Sequence, residues 1–337
     1  MSLIPKGLRR SLRRLIGGLQ PPRTISAVAS ATYRQRPSDN QDAVAVAACP
    51  ARNLRAIIVA DGLGSQEYAG LGARWSVEMV TGLIHSAAAT EHPATWSATE
   101  MRELFIQARQ GLRERALAFC RDENLDCDPE RTFGTTLIIA IEEANSLWVG
   151  YVGNGAIWHL RGGFNDFMGN QYIPWNALNY LNPHTLQNLQ GKEALYRLIS
   201  IAEDDEAEPT ILQLQKDGEH GDAIMICTDG IFSNDQVNLG RTKDETIWMK
   251  MEQPIVRFFE ALNELFARYD AAEISNERLQ AALNTYLERL CADDLLDDDS
   301  SLGVILTPEL LRYQEQRTKR RRETHSHVIA SEEEGGG

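Results

Sequence analysis

The stretch AIIVADGLGS, Ala56–Ser65, is an apolar run that ends directly in Asp61-Gly62, and AIMICTDGIF, Ala223–Phe232, repeats the arrangement with Asp229-Gly230. Short runs rich in Ile, Val and Ala read as buried strands. Asp-Gly at such an end makes a turn in which the strand fixes the root of a short carboxylate and the glycine lets backbone come close. Two further acidic positions share the pattern. Asp42 opens a strand in SDNQDAVAVA, Ser38–Ala47, and Asp298 and Asp299 precede the last strand in LLDDDSSLGVIL, Leu295–Leu306. Hard cations such as Mg²⁺ and Mn²⁺ prefer carboxylate, carbonyl and water oxygens. Aspartates gathered in one place repel one another and raise one another's pKa unless a cation compensates them. Asp42, Asp61, Asp229 and the pair Asp298-Asp299 are therefore the candidate cation ligands.

Outward from these positions the chain alternates strand-like and helix-like runs. Strands are expected at Ala43–Ala47, Ala56–Val59, Thr136–Ile141, Leu147–Val152, Ile157–Leu160, Ala223–Cys227 and Gly303–Leu306. Leu, Met and Phe recurring at three and four residues predict helices over about Glu67–Ala88, Ala98–Asp122, Pro254–Ala267 and Asn276–Cys291. Strands clustered around a few long helices imply mixed α/β or α+β layering. Residues 164–208 form an irregular insert, read as helical across Leu186–Ile201 and placed to wall a site. Residues 1–23 read as a basic amphipathic appendage with Leu8, Leu12, Leu15 and Leu19 at helical spacing, and residues 313–337 as a charged, disordered tail. The main domain is thus expected over 24–312.

The net charge of −14 argues against a general nucleic-acid surface, which works by neutralising phosphates with Lys and Arg. Six basic residues and no acid in 1–23 leave the remainder at −20, so the appendage is expected to dock on a partner or on its own acidic body rather than on a membrane. No apolar run reaches the roughly 18 residues of a bilayer span, and no signal peptide is evident, so a cytoplasmic location is expected. Five scattered cysteines (49, 120, 127, 227 and 291) lack paired metal or redox spacing. The histidines His85, His92, His159, His184 and His220 are dispersed and read as surface or packing residues.

The ordered series NQDA (40–43), VADGLGS (59–65), FGTTL (133–137), VGNG (152–155), GDAIMICTDGIF (221–232) and DDDSSLGVIL (297–306) resembles the metal-dependent protein phosphatases of the PPM, or type-2C, serine/threonine family. The resemblance spans roughly Ala29 to Thr307. It implies an α+β fold, a four-layer α/β/β/α sandwich of two mainly antiparallel sheets flanked by helices, with two Mg²⁺ or Mn²⁺ ions at one end. By resemblance Asp61 bridges the ions, Gly62 lends its carbonyl, Asp229 and Asp298 are further ligands, and Asp42 keeps the acidic position of NQDA. Gly134, Thr135 and Thr136 match a small-residue motif that packs a strand against the site. A phosphate-contacting arginine falls on Arg36 or Arg34, Arg36 being preferred.

Three departures stand out. Gln41 replaces a common glutamate, Asn154 replaces the aspartate that holds a third ion, and Leu63 stands where some members carry a histidine acid. The activity implied is hydrolysis of phosphoserine or phosphothreonine in a protein substrate by a metal-activated water, opposing a Ser/Thr kinase. Two alternatives remain: a catalytically weak phosphatase-fold module that binds or regulates, and a hydrolase of a small phosphorylated metabolite.

Overall fold

The computed structural model describes residues 24–33, 40–49, 54–88, 96–125, 132–143, 146–161, 177–187, 193–199, 208–232, 237–241, 247–251, 253–296 and 298–317. Its centre is two five-stranded sheets. The first has the order β1 (Ile25–Ala31), β14 (Ser300–Leu306), β11 (Asp222–Cys227), β6 (Ala156–Arg161), β7 (Ala177–Asn179). The second has the order β10 (Thr210–Leu214), β5 (Leu147–Val152), β4 (Leu137–Glu142), β3 (Leu54–Asp61), β2 (Asp42–Cys49). Every pairing within both sheets is antiparallel.

Alternation along each strand builds the layers. In β3, Ile57 and Val59 face the other sheet while Ile58 and Ala60 face helices α1 (Ala69–Ala88) and α2 (Ala98–Asp122). In β11, Ile224 and Ile226 face the other sheet while Ala223, Met225 and Cys227 face helices α4 (Gln253–Arg268) and α5 (Asn276–Ala292). Helix residues at three- and four-residue spacing close the outer layers: Ala73, Val77, Val80 and Ile84 of α1, and Leu279, Leu283, Tyr286 and Leu290 of α5. Each fully buried Leu, Ile or Phe contributes about 1.5–3 kcal/mol of transfer free energy. Ser97 and Ser275 cap α2 and α5, each accepting the backbone N–H three residues on. The result is the four-layer α+β sandwich.

The expected strands and long helices match to within a few residues. The helix expected across Leu186–Ile201 is instead a short hairpin, β8 (Thr185–Gln187) with β9 (Glu193–Leu195), continued by Ile199, which exchanges backbone hydrogen bonds with Thr135. Pairing to a distant strand end overrides a local helical spacing that Gly191 already interrupts. The last helix runs over 308–317 with Gln314 buried, past the boundary drawn after 312. The appendage 1–23 and residues 318–337 lie outside the described residues. No described helix is long and apolar enough to cross a membrane.

Candidate active site

Strand register delivers the carboxylates to one end of the sandwich. Asp42, opening β2, lies directly opposite Asp61, closing β3. β11 and β14 are also antiparallel neighbours, so Asp229, just after β11, and Asp298, just before β14, emerge at that same end. Asp229 begins the short helix α3 (Asp229–Phe232). The turn between β5 and β6 joins them there, its Gly153 and Gly155 at φ +105° and +118°, where a β-carbon would be strained.

The threonine pair of FGTTL grips Asp61. The Thr136 Oγ1 accepts the Asp61 N–H at 3.0 Å, while the Thr136 N–H and the Thr135 hydroxyl donate to the Asp61 carbonyl at 2.8 and 2.7 Å. Gly62 is required by close approach: a β-carbon there would lie 2.6 Å from the Ala69 carbonyl carbon, at the start of α1. Its N–H donates to the Gln41 carbonyl at 3.1 Å, joining the two strand ends.

Asp61, Gly62, Asp229 and Asp298 line one cleft together with Gln41, Asn154 and Asp299; the turn Leu63–Ser65 and Leu195 of β9 complete it. The insert therefore does wall the site. Asp42 does not line this cleft. It sits behind Asp61, buried, with Oδ2 accepting the Thr228 hydroxyl at 2.9 Å, while the same hydroxyl oxygen accepts the Ser301 N–H at 2.9 Å. Its Oδ1 is buried without a hydrogen-bond partner among the protein donors. Asp42, a predicted cation ligand, thus lies beside Asp61 and not in the lining of the cleft.

Asp299 is a residue that the sequence pattern left undistinguished from its neighbour. Its Oδ1 accepts the Tyr33 N–H at 2.8 Å and its Oδ2 the Gln41 N–H at 2.9 Å. Those amides flank residues 34–39, so one carboxylate clamps both ends of the segment that carries Arg34 and Arg36. The two arginines themselves lie outside the described residues. The tandem acids after α5 were the available signal, but only the fold divides their labour.

Asn154, the first departure in the cleft, donates its amide N–H to Asp229 Oδ2 at 2.5 Å. A neutral donor thus occupies a carboxylate oxygen that an aspartate at 154 would have repelled.

The electrostatics follow from this crowding. Asp61 is pushed up to about 10 by burial first, then by the charges of Asp42 and Asp229, with Asp298 adding to them. Burial raises Asp42 to about 7 despite hydrogen bonds that favour its charged form. The two carboxyl groups approach closely enough to share a proton, and their negative charge calls for a proton or a cation. None of the described residues lining the cleft is basic.

Among the described residues no three Asp, Glu, His or Cys side chains converge on a single ligating point. The acids line a common wall instead of closing a cage. That arrangement suits Mg²⁺ or Mn²⁺, which keep several waters and take only part of their shell from protein oxygens. The donors are all oxygens, and the buried Asp42 Oδ1, which lacks a hydrogen-bond donor, adds negative charge beside Asp61 that a nearby cation would offset. The residues present fit a hard cation at Asp61, the Gly62 carbonyl, Asp229 and Asp298.

Comparison with known proteins gives the family and the fold. A family profile described as protein phosphatase 2C matches residues 31–288, and the chain belongs to that family. Among solved structures, a sex-determining protein of C. elegans shares 9% identity at TM-score 0.56, covering 88% of this chain and 68% of its own. A bacterial serine phosphatase shares 12% at TM-score 0.51, covering 84% and 97%. The Mycobacterium tuberculosis serine/threonine phosphatase PstP/Ppp shares 17% at TM-score 0.50, covering 84% and 98%. At these identities the likeness shows the fold alone. No curated protein sequence gives a significant match.

Proposed function

We propose that this chain is a metal-dependent protein serine/threonine phosphatase that uses two Mg²⁺ or Mn²⁺ ions to hydrolyse phosphomonoesters on a protein substrate, opposing a Ser/Thr kinase. The observation that carries the reading is the gathering of Asp61, Asp229, Asp298 and Asp299 in one cleft with no basic residue among its described lining; burial first, and then the charges of Asp42 and Asp229, raise the pKa of Asp61 there. Asp61, the Gly62 carbonyl, Asp229 and Asp298 would hold the ions. When bound, such ions lower the pKa of water for in-line attack and offset charge on the phosphoryl oxygens.

The rest of the work falls to the chain itself. Thr135 and Thr136 fix the backbone of Asp61, and Thr228 and Ser301 fix Asp42 behind it. Asp299 holds Tyr33 and Gln41, which flank in sequence the segment carrying Arg36 and Arg34, the residues proposed to meet the phosphate dianion. Leu63 carries no proton, so protonation of the leaving oxygen is left to water. With Asn154 bonded to Asp229, two ions are expected and not three.

The second reading, a phosphatase-fold module with little turnover, draws on the neutral Gln41, Leu63 and Asn154 around the cleft. Hydrolysis of an aryl phosphate and of a phosphothreonine peptide, with and without Mn²⁺, separates the two. Metal-dependent hydrolysis with preference for the peptide supports the proposal. Peptide binding without turnover favours the module, and hydrolysis indifferent to metal overturns the two-ion site. Preference for small phosphate esters would transfer the same chemistry to a metabolite substrate.

A further inference from the structure

We propose that His184 is a positioning residue that clasps the Gly153–Gly155 turn to the insert, and so sets Asn154 against Asp229 and Leu195 against the cleft; its kinetic consequence rests on the phosphatase reading.

His184 is buried, 4% exposed, and belongs to the insert, and its bonds run to two other parts of the fold as well as to Tyr196 within the insert. Its backbone N–H donates to the Gly153 carbonyl at 3.0 Å, and the Gly153 N–H donates back to its Nδ1 at 3.2 Å. An Nδ1 that accepts leaves the proton on Nε2, which lies 2.9 Å from the Thr210 hydroxyl oxygen at the head of β10. The His184 carbonyl accepts the Tyr196 N–H at 3.0 Å, next to Leu195 of the cleft wall. The ring stacks on Tyr151 at 5.0 Å between centroids and 22° between planes, which fixes its direction.

This arrangement needs a neutral imidazole, since the cation has no acceptor to offer Gly153. Burial, and then the charge of Arg197, both lower the pKa of His184 and keep it neutral. The turn it holds is short and glycine-bounded, with both glycines at positive φ, and packs closely against Thr136 and the Cys227 carbonyl. Asn154, the residue between those glycines, is the one that meets Asp229. The clasp thus reaches a cleft carboxylate through one backbone hydrogen bond and one side-chain amide.

Two substitutions separate the nitrogens. In His184→Asn the amide oxygen takes the place of Nδ1 and can accept from Gly153. In His184→Gln the amide reaches the place of Nε2 and leaves the Gly153 N–H unsatisfied. An orphaned buried donor of this kind corresponds to roughly a tenfold change in an equilibrium. Amide exchange at Gly153 should therefore quicken about tenfold in His184→Gln and stay near that of the native protein in His184→Asn, and kcat on an aryl phosphate with Mn²⁺ should follow the same order, with KM little changed. In an Asn154→Ala background the effect of His184→Gln on kcat should largely vanish, because the route to Asp229 is already cut.

The proposal is overturned if Asn and Gln behave alike at Gly153, or if the His184→Gln and Asn154→Ala effects multiply independently. Should the native protein hydrolyse nothing with Mn²⁺, the phosphatase reading fails by itself, while the exchange rates at Gly153 still decide whether His184 holds the turn.

Discussion

Carboxylates stand at both ends of the sandwich and are treated oppositely. At the end away from the cleft, Glu142 closes β4 with its Oε1 2.5 Å from the Lys216 Nζ and its Oε2 accepting the Thr24 hydroxyl at 2.6 Å. Asp222, opening β11, pairs with the His159 Nε2 at 2.7 Å and accepts the Asp217 N–H at 2.8 Å. At the cleft end, Asp61 closes β3 and meets Asp42, Asp229 and Asp298, all acids. Burial raises the pKa of Glu142 too, but Lys216 and Thr24 oppose it. The contrast teaches that burial alone does not mark a site. A buried acid matched by a base or donor holds the fold together, whereas acids gathered in one cleft without a base among its described lining reserve a place for a ligand of opposite charge.

Breaking the cleft end should have the largest effect on chemistry. Asp61→Asn and Asp229→Asn should each lower metal-dependent turnover by about a thousandfold or more, since they remove charge that holds the ions, while circular dichroism and cooperative melting remain native. Comparable activity in either variant would mean the cleft acids are not the catalytic ones. Breaking the opposite end should do the reverse. Lys216→Met strands Glu142 in the core and should destabilise by about 3–5 kcal/mol in denaturant titrations, with kcat unchanged below the unfolding range. A loss of kcat without a loss of stability would erase the distinction between the two ends.

A subtler test concerns Asp42. Its folded pKa, about 7, lies above the ordinary 3.8, so the native state binds this proton more tightly than the unfolded chain does. Stability of the metal-free protein should then fall as pH rises from about 4 through 7. Asp42→Asn should flatten that slope, leaving melting at pH 4 nearly unchanged and raising it at pH 8 by roughly 2–4 °C. An unaltered pH dependence would show that Asp42 and Asp61 do not share their charge. The smallest effect is expected at Asn154. Asn154→Asp restores an acid beside Asp229 and should extend the Mn²⁺ dependence of the rate to higher concentration by a few-fold; an identical titration would mean that the position does not influence ion binding.

Much of this was legible in the chain. The bounds of α2 and β5 agree with the apolar spacing residue for residue, and Asp61, Asp229 and Asp298 do meet at one cleft. β1, ISAVASA, escaped notice because its small residues give a weak apolar signal. The insert was misread because Leu186 with Leu189, and Leu195 with Leu198 and Ile199, sit three or four residues apart, while the partner that holds Ile199 extended is Thr135, far away in sequence. His184 looked like an ordinary packing residue, and its bond to Gly153 could not be anticipated from its neighbours.

By itself the sequence determined where strands end in acids, which glycines follow them, and that the four aspartates recur in an order resembling the type-2C phosphatases. That resemblance implied two mainly antiparallel sheets; only the tertiary structure decided which strands are neighbours, that Asp42 lies beside Asp61 outside the cleft lining, and that Asp299 binds the chain on either side of residues 34–39. The reason is that β3, β4, β11 and β14 are apolar on both faces, so their side chains carry no alternation from which to read direction or neighbour. Their partners are chosen by hydrogen bonds between distant segments, and the roles of the two adjacent acids follow from which way each points once those bonds are made.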